Sequence, residues 1–145
     1  MSSKVNVGLI GAGRIGRLHA EHLAFRIPDA NLLAVSDIIL EAAQKCAASL
    51  GIPTATQDHR IIMENPDIKA VVVCSSTDTH AQMIEEAAAA GKHIFCEKPI
   101  AHDLGEIDRA LAAVEEASVK LQIGFNRRFD PNFRRVRELV ATGKI

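Results

Sequence analysis

The chain has 145 residues, enough for one domain and too few for two of ordinary size. Its 48% hydrophobic and 24% charged residues describe a globular chain and exclude a disordered or fibrous one. With 17 basic against 18 acidic side chains the net charge is −1, so nothing global points to nucleic acid or to a membrane as partner.

The first element is a short apolar run, Val5, Val7, Leu9 and Ile10, which reads as a buried strand. It ends in Gly11-x-Gly13-x-x-Gly16, and a helical pattern follows from Arg14 to Phe25, with Ile15, Leu18, His22 and Phe25 as its expected apolar stripe. In such a loop Gly11 permits the tight turn, Gly13 lets backbone approach a pyrophosphate, and Gly16 lets the helix close on its strand. The helix N-terminus then offers unpaired N–H groups and a positive dipole end to an anion. His19 and His22 stand one turn apart, but no Cys or carboxylate at metal-ligand spacing joins them, and no metal is expected.

A second strand is predicted over residues 31–36, ending at Asp37, which lies 21 residues beyond Gly16. That offset is the one at which a carboxylate hydrogen-bonds the adenosine ribose of NAD. Asp37 also suits a helix N-cap before the helical run that reaches Leu50, and the two uses are compatible. A carboxylate here repels a 2′-phosphate and Ile38 supplies no positive charge, so NAD is expected rather than NADP.

A weak strand over 54–56, a short helix near 58–63 and the turn Asn65-Pro66-Asp67 come next. Residues 68–74, with Val71-Val72-Val73 together, read as a central strand buried on both faces. The polar loop from Ser75 to His80 has two readings: Thr79 with Gln82 as a capping box, or Ser75, Ser76 and Thr77 as contacts to a cofactor at the end of a central strand. After a helix to Ala90, residues 92–95 form another strand followed by Glu97-Lys98-Pro99. Glu97 and Lys98 at a strand's carboxyl end stand either at the catalytic position of this architecture or in a surface ion pair, and Pro99 restricts Lys98 to extended backbone. Asp103 with Glu106 makes a capping box for a helix with the stripe Leu104, Ile107, Leu111 and Val114, and residues 121–124 give the sixth main strand.

Six strands alternating with helices predict an α/β fold, the Rossmann doubly wound parallel sheet in order 3-2-1-4-5-6. Residues 1–124 are expected to form this dinucleotide-binding domain, and 125–145 a linker and helix. That tail carries six basic groups against Asp130 and Glu138, a net of +4. Phe129, Phe133, Val136 and Val140 share one face, however, so the arginines are read as its solvated side, with no nucleic-acid partner. Cys46, Cys74 and Cys96 have no CxxC or zinc-like spacing and read as free thiols packed as small apolar groups. No leader precedes the first strand and no apolar run approaches the roughly 20 residues that span a bilayer, so the expected location is the cytoplasm and no membrane partner is expected.

Four stretches together resemble the N-terminal half of the Gfo/Idh/MocA oxidoreductases, and among them inositol 2-dehydrogenases: Gly11 to Ala20, Ser36-Asp37, Ala90 to Pro99 with its Glu-Lys-Pro, and Gly124-Phe125-Asn126-Arg127-Arg128-Phe129-Asp130. The resemblance implies that Gly11, Gly13, Arg14, Ile15 and Gly16 hold the pyrophosphate of NAD and Asp37 its adenosine ribose. It implies that Ser75, Ser76, Thr77 and His80 line the cofactor cleft and that Glu97 lies near the nicotinamide ribose. Lys98 is then the catalytic lysine, bonding the reacting hydroxyl of a polyol or sugar, and a cis peptide before Pro99 is expected as in part of the family. Arg127 and Asp130 would border the substrate or the domain junction. Family members continue into a second α/β domain that supplies an Asp and the acid/base His, and the chain stops where that domain is expected to begin. It is therefore expected to be inactive alone and either to self-associate or to meet a separate C-terminal half. The competing expectation is a non-catalytic module that binds nucleotide or a partner.

Overall fold

The strands of the sheet are short and mostly apolar, and α2, α4 and α5 are rich in Ala, so small residues let these helices pack closely. The computed structural model describes residues 4–145. The first three positions of the expected domain, on which the expected lack of a leader also bears, lie outside the described residues. In chain order the elements are β1 (Val5–Ile10), α1 (Arg14–Phe25), β2 (Ala30–Ser36), α2 (Leu40–Leu50), β3 (Thr54–Thr56), α3 (Arg60–Glu64), β4 (Ala70–Val73), α4 (Thr77–Ala89), β5 (His93–Cys96), α5 (Leu104–Glu116), β6 (Leu121–Ile123), a 3-10 turn (Asn126–Phe129) and α6 (Pro131–Ala141).

The six strands form one parallel sheet in the order β3-β2-β1-β4-β5-β6, as the alternating pattern predicts. Side chains alternate across it. Val7, Leu9, Val35 and Val72 pack under α1 and α2, whereas Ile10, Ala34, Val71 and Val73 pack under α3, α4 and α5. Val71, Val72 and Val73 are all buried, which accounts for the unbroken apolar run in a central strand.

Two helices present faces other than the expected ones. In α1 the sheet-facing residues are Gly16 and Ala20, while Ile15, Leu18 and Phe25 are exposed. The helix runs so close to its strand that a Cβ on Gly16 would collide with the Gly11 carbonyl, so small residues rather than large apolar ones mark the inner face. In α5, Ala110 is buried and Ile107 and Val114 pack beside it, whereas Leu104 and Leu111 face outward. Asp103 does cap α5, accepting a hydrogen bond from the Glu106 N–H at 3.1 Å. The capping box at Thr79 is not formed. The N-cap of α4 is Ser76, and Thr79 lies in the first turn with its hydroxyl donating to the Ser76 carbonyl at 2.8 Å.

Lys92, just before β5, is a buried lysine that periodicity does not single out. Its Nζ donates to the Asn65 and Ile68 carbonyls at 2.6 and 2.9 Å and so closes the loop ahead of β4; burial lowers its pKa, with the Lys69 charge adding to the effect. No helix among the described residues is long and apolar enough to cross a membrane.

The three cysteines are free and buried. Burial, with the negative charge of Glu97 adding to it, pushes the Cys74 and Cys96 thiols up to about 12, and burial also raises Cys46. Since the thiolate is the reactive form, only about one thiol in 10,000 is ionised at pH 8 at either of the first two positions. A disulfide-exchange dye at pH 8 is therefore expected to label neither Cys74 nor Cys96 in the native chain and all three cysteines in denaturant. Fast native labelling of these two would contradict the packing.

Candidate functional site

The site begins with register. Ser36 of β2 lies level with Ile10 of β1, Ile10 with Val73 of β4, Val73 with Cys96 of β5, and Cys96 with Ile123 of β6. The residues that follow these strand ends, Asp37, Gly11, Cys74, Glu97 and Gly124, therefore stand in one row along the carboxyl edge of the sheet. Main-chain bonds extend the ladder into that row: Gly11 N–H to Ser36 O, Cys74 N–H to Ile10 O, Glu97 N–H to Val73 O and Gly124 N–H to Cys96 O. The strand order reverses between β1 and β4, which makes this edge a topological switch point, where open α/β sheets bind ligands.

The glycine loop sits at that point. Gly11 has φ +96°, and a Cβ on it would come within 2.5 Å of the Cys74 carbonyl oxygen, so both its backbone and its space require glycine. A Cβ on Gly13 would meet nothing within 4 Å, which leaves its backbone open to a ligand. Gly13 is also the N-cap of α1. No side chain caps this helix and its first turn carries no acidic residue, so the N–H groups of Arg14, Ile15 and Gly16 have no capping partner, with the positive end of a 12-residue helix behind them. An open cradle of N–H donors with the exposed Arg14 beside it fits a pyrophosphate.

Asp37 is tied into the same loop. One carboxylate oxygen accepts the Ala12 N–H at 2.7 Å and the other accepts the Ile39 N–H at 2.8 Å. The N-cap of α2 is Ile39, so Asp37 acts from two residues ahead of the helix rather than as its cap. Each oxygen keeps lone-pair capacity for a sugar hydroxyl. Ile38 beside it is 82% exposed and offers no charge to a phosphate.

On the other side of the loop, Ser75, Ser76 and Thr77 open α4, with the Ser75 and Thr79 hydroxyls 2.7 Å apart. His80 is not on the cleft surface. It is 2% exposed, and its two ring nitrogens face the carbonyls of Pro99 (2.7 Å) and Ser75 (3.0 Å), joining the loop after β4 to the loop after β5. At the end of β5, the Glu97 carboxylate hydrogen-bonds His19 of α1 at 2.8 Å and lies against the Gly124 backbone, where a Cβ would come within 3.0 Å of Oε2. Lys98 is exposed next to it, and the Lys98–Pro99 peptide bond is cis. His19 is the residue that the sequence reading missed in this cluster. It lies 78 positions from Glu97, and periodicity carries no signal for a pair so distant.

Arg127 and Asp130 serve the start of α6. Asp130 Oδ1 accepts from the Asn132 and Phe133 N–H groups, and Arg127 lies 3.6 Å from the Asp130 carboxylate and 4.9 Å over the Phe133 ring. Among the described residues no group of three or more His, Cys, Asp or Glu is placed to hold a metal ion.

Residues 5–125 match the model of the GFO_IDH_MocA family, an oxidoreductase family with an NAD-binding Rossmann fold. The oxidoreductase YrbE of Bacillus subtilis (strain 168) is 48% identical over 145 residues, which is 100% of this chain and 42% of that protein. The inositol 2-dehydrogenase of Rhizobium meliloti (strain 1021) is 47% identical over 141 residues, 97% of this chain and 42% of that protein. The crystal structure of scyllo-inositol dehydrogenase from Lactobacillus casei with bound cofactor NAD(H) and scyllo-inositol superposes with a TM-score of 0.91 at 35% identity, covering 99% of this chain and 42% of that one. The chain thus spans less than half the length of these relatives. It belongs to the Gfo/Idh/MocA oxidoreductase family and carries that family's NAD-binding Rossmann fold.

Proposed function

We propose that this chain is the cofactor domain of an NAD-dependent dehydrogenase that oxidises a polyol or sugar hydroxyl, of the inositol type. One observation carries the reading: the row in which Asp37, the Gly11–Gly16 loop and Glu97-Lys98 follow strand ends in register. From β2 to β5 there are three inter-strand steps, about 14 Å at the usual spacing. Across that span a carboxylate stands at each end and a cradle of N–H donors between them, which matches two riboses joined through pyrophosphate. Asp37 then holds the adenosine ribose, the N–H groups at Gly13 to Gly16 with Arg14 and Ile15 hold the pyrophosphate, and Glu97 faces the nicotinamide ribose. Ser75, Ser76 and Thr77 border the cleft, and His80 supports it from behind.

The nicotinamide, when bound, supplies the hydride acceptor. Lys98 is the ionisable side chain next to that end of the row. It bonds the reacting hydroxyl and joins the path by which its proton leaves, as the carbon–oxygen single bond becomes a carbonyl. The free thiols are in keeping with a reducing compartment, and the location we assign is the cytoplasm.

Residues 1–124 act in this reading as the dinucleotide-binding unit and 125–145 as the connection to the substrate side, with Arg127 and Asp130 at the junction. The chain exposes 9259 Å², whereas a compact monomer of 15.6 kDa exposes about 7,200 Å². The difference exceeds the roughly 800 Å² that one partner contributes to a standard interface. Part of it is the stripe of Phe129, Phe133, Val136 and Val140, each more than half exposed along α6 and the turn before it. We assign that stripe to association, with further α/β polypeptide or with a second copy.

Three measurements test these assignments. NADH should bind the chain more tightly than NADPH, and Asp37→Ala should weaken NADH about tenfold, the scale of one lost hydrogen bond to a charged group. Equal affinity for the two dinucleotides would sink the NAD assignment. With myo-inositol and NAD⁺, the 145-residue chain is expected to show little or no turnover; robust turnover abolished by Lys98→Ala would place the whole reaction within it. Sedimentation of the isolated chain should depend on concentration, whereas a monodisperse monomer throughout would argue against the assignment of α6.

A further inference from the structure

We infer that His19 is a positioning residue for the nicotinamide half of the site: through Glu97 it sets the carboxylate that faces the second ribose, and so couples the helix behind the pyrophosphate cradle to the strand end that carries Lys98. The inference rests on the assignment of Glu97 proposed above.

The geometry has three parts. First, the bond is short and directional. His19 Nε2 lies 2.8 Å from Glu97 Oε1, and because a carboxylate oxygen only accepts, Nε2 carries the proton. Second, the ring is held in place. It packs against Phe95 of β5, two residues before Glu97, with ring centroids 5.1 Å apart and planes inclined at 59°. Third, the other constraints on the carboxylate are weaker. Oε2 accepts the Lys98 N–H at 3.3 Å, long for such a bond, and the Gly124 backbone only backs the group from one side. A glutamate has three side-chain torsions, and in this setting His19 is what selects one arrangement of them. Both side chains are largely shielded, 25% and 17% exposed, so the bond is worth more than a surface pair.

The pairing also explains why α1 contributes beyond its N-terminus. Its first turn points N–H groups at the anion site, while His19, one turn further along, reaches across to β5. The same rigid helix therefore references both ends of the cleft.

The test compares three ligands that share the adenosine diphosphate moiety: ADP, ADP-ribose, which adds the second ribose, and NADH, which adds nicotinamide as well. Binding of NADH is read from its fluorescence and that of the other two by competition, with melting temperatures recorded for each variant. His19→Ala is expected to weaken NADH and ADP-ribose about tenfold while leaving ADP within about twofold, the scale of losing one charge-assisted hydrogen bond at the second ribose alone. His19→Gln, whose amide nitrogen can replace Nε2, should recover most of the loss, and His19→Ala added to Glu97→Gln should cost nothing further if the two act as one unit. An equal loss of ADP would overturn the inference, leaving His19 as a support of α1 only. So would a His19→Gln variant that melts normally yet binds as poorly as His19→Ala. If Glu97→Gln weakens NADH but His19→Ala does not, Glu97 stands without its positioner; if Glu97→Gln itself changes nothing, the assignment of Glu97 falls, and the inference with it.

Discussion

The register of the parallel sheet is the constraint on which everything else depends. Because β2, β1, β4, β5 and β6 end level with one another, five residues far apart in the chain share one edge: Asp37, Gly11, Cys74, Glu97 and Gly124. A slip of one residue in any strand would turn its side chains to the opposite face and withdraw its contribution from that row. The burial of both sheet faces prevents such slips. Val71 and Val73 fill one layer and Val72 the other, so the apolar core and the polar edge are held by the same pairing.

Within that frame the loop after β1 is fastened on several sides. Gly11 bonds Ser36, Ala12 bonds Asp37, and Gly16 brings α1 down onto the Gly11 carbonyl. The carboxylate assigned to the adenosine ribose therefore also shapes the loop assigned to the pyrophosphate. Glu97 stands in a corresponding position at the other end, with bonds to α1 and to its own strand end. Each end of the site is thus a carboxylate that also fastens the backbone or helix beside it.

Much of this was legible in the residues. The strand–glycine loop–helix unit, the 21-residue offset of Asp37 and the alternation of strands with helices are local or regular signals; they led directly to the sheet order, and they are the basis of the dinucleotide site proposed above. What misled was apolar periodicity in α1 and α5. Ile15, Leu18, Leu104 and Leu111 have the right spacing but face outward, because α1 seats tightly on its strand through Gly16 and Ala20, and α5 turns Ala110 inward where it packs beside α4. Thr79 and Gln82 matched a capping box, yet α4 begins earlier, at Thr77, with Ser76 as its N-cap. His80 follows a polar stretch that reads as a cofactor loop, yet it lies in the first turn of α4 and is buried, tying two loops through their carbonyls.

By itself the sequence determined the fold class, the place of the glycine loop at the head of α1 and the carboxylate beside it, because those depend on backbone freedom at glycine and on spacings within one βαβ unit. Only the tertiary structure decided which groups meet at the two ends of the sheet: at the carboxyl edge His19 with Glu97, Glu97 with the Gly124 backbone and Asp37 with the Ala12 amide, and at the opposite end Lys92 with the carbonyls ahead of β4. The physical reason is that such pairs are set by strand order, register and the close seating of helices, none of which leaves a periodic mark on the chain.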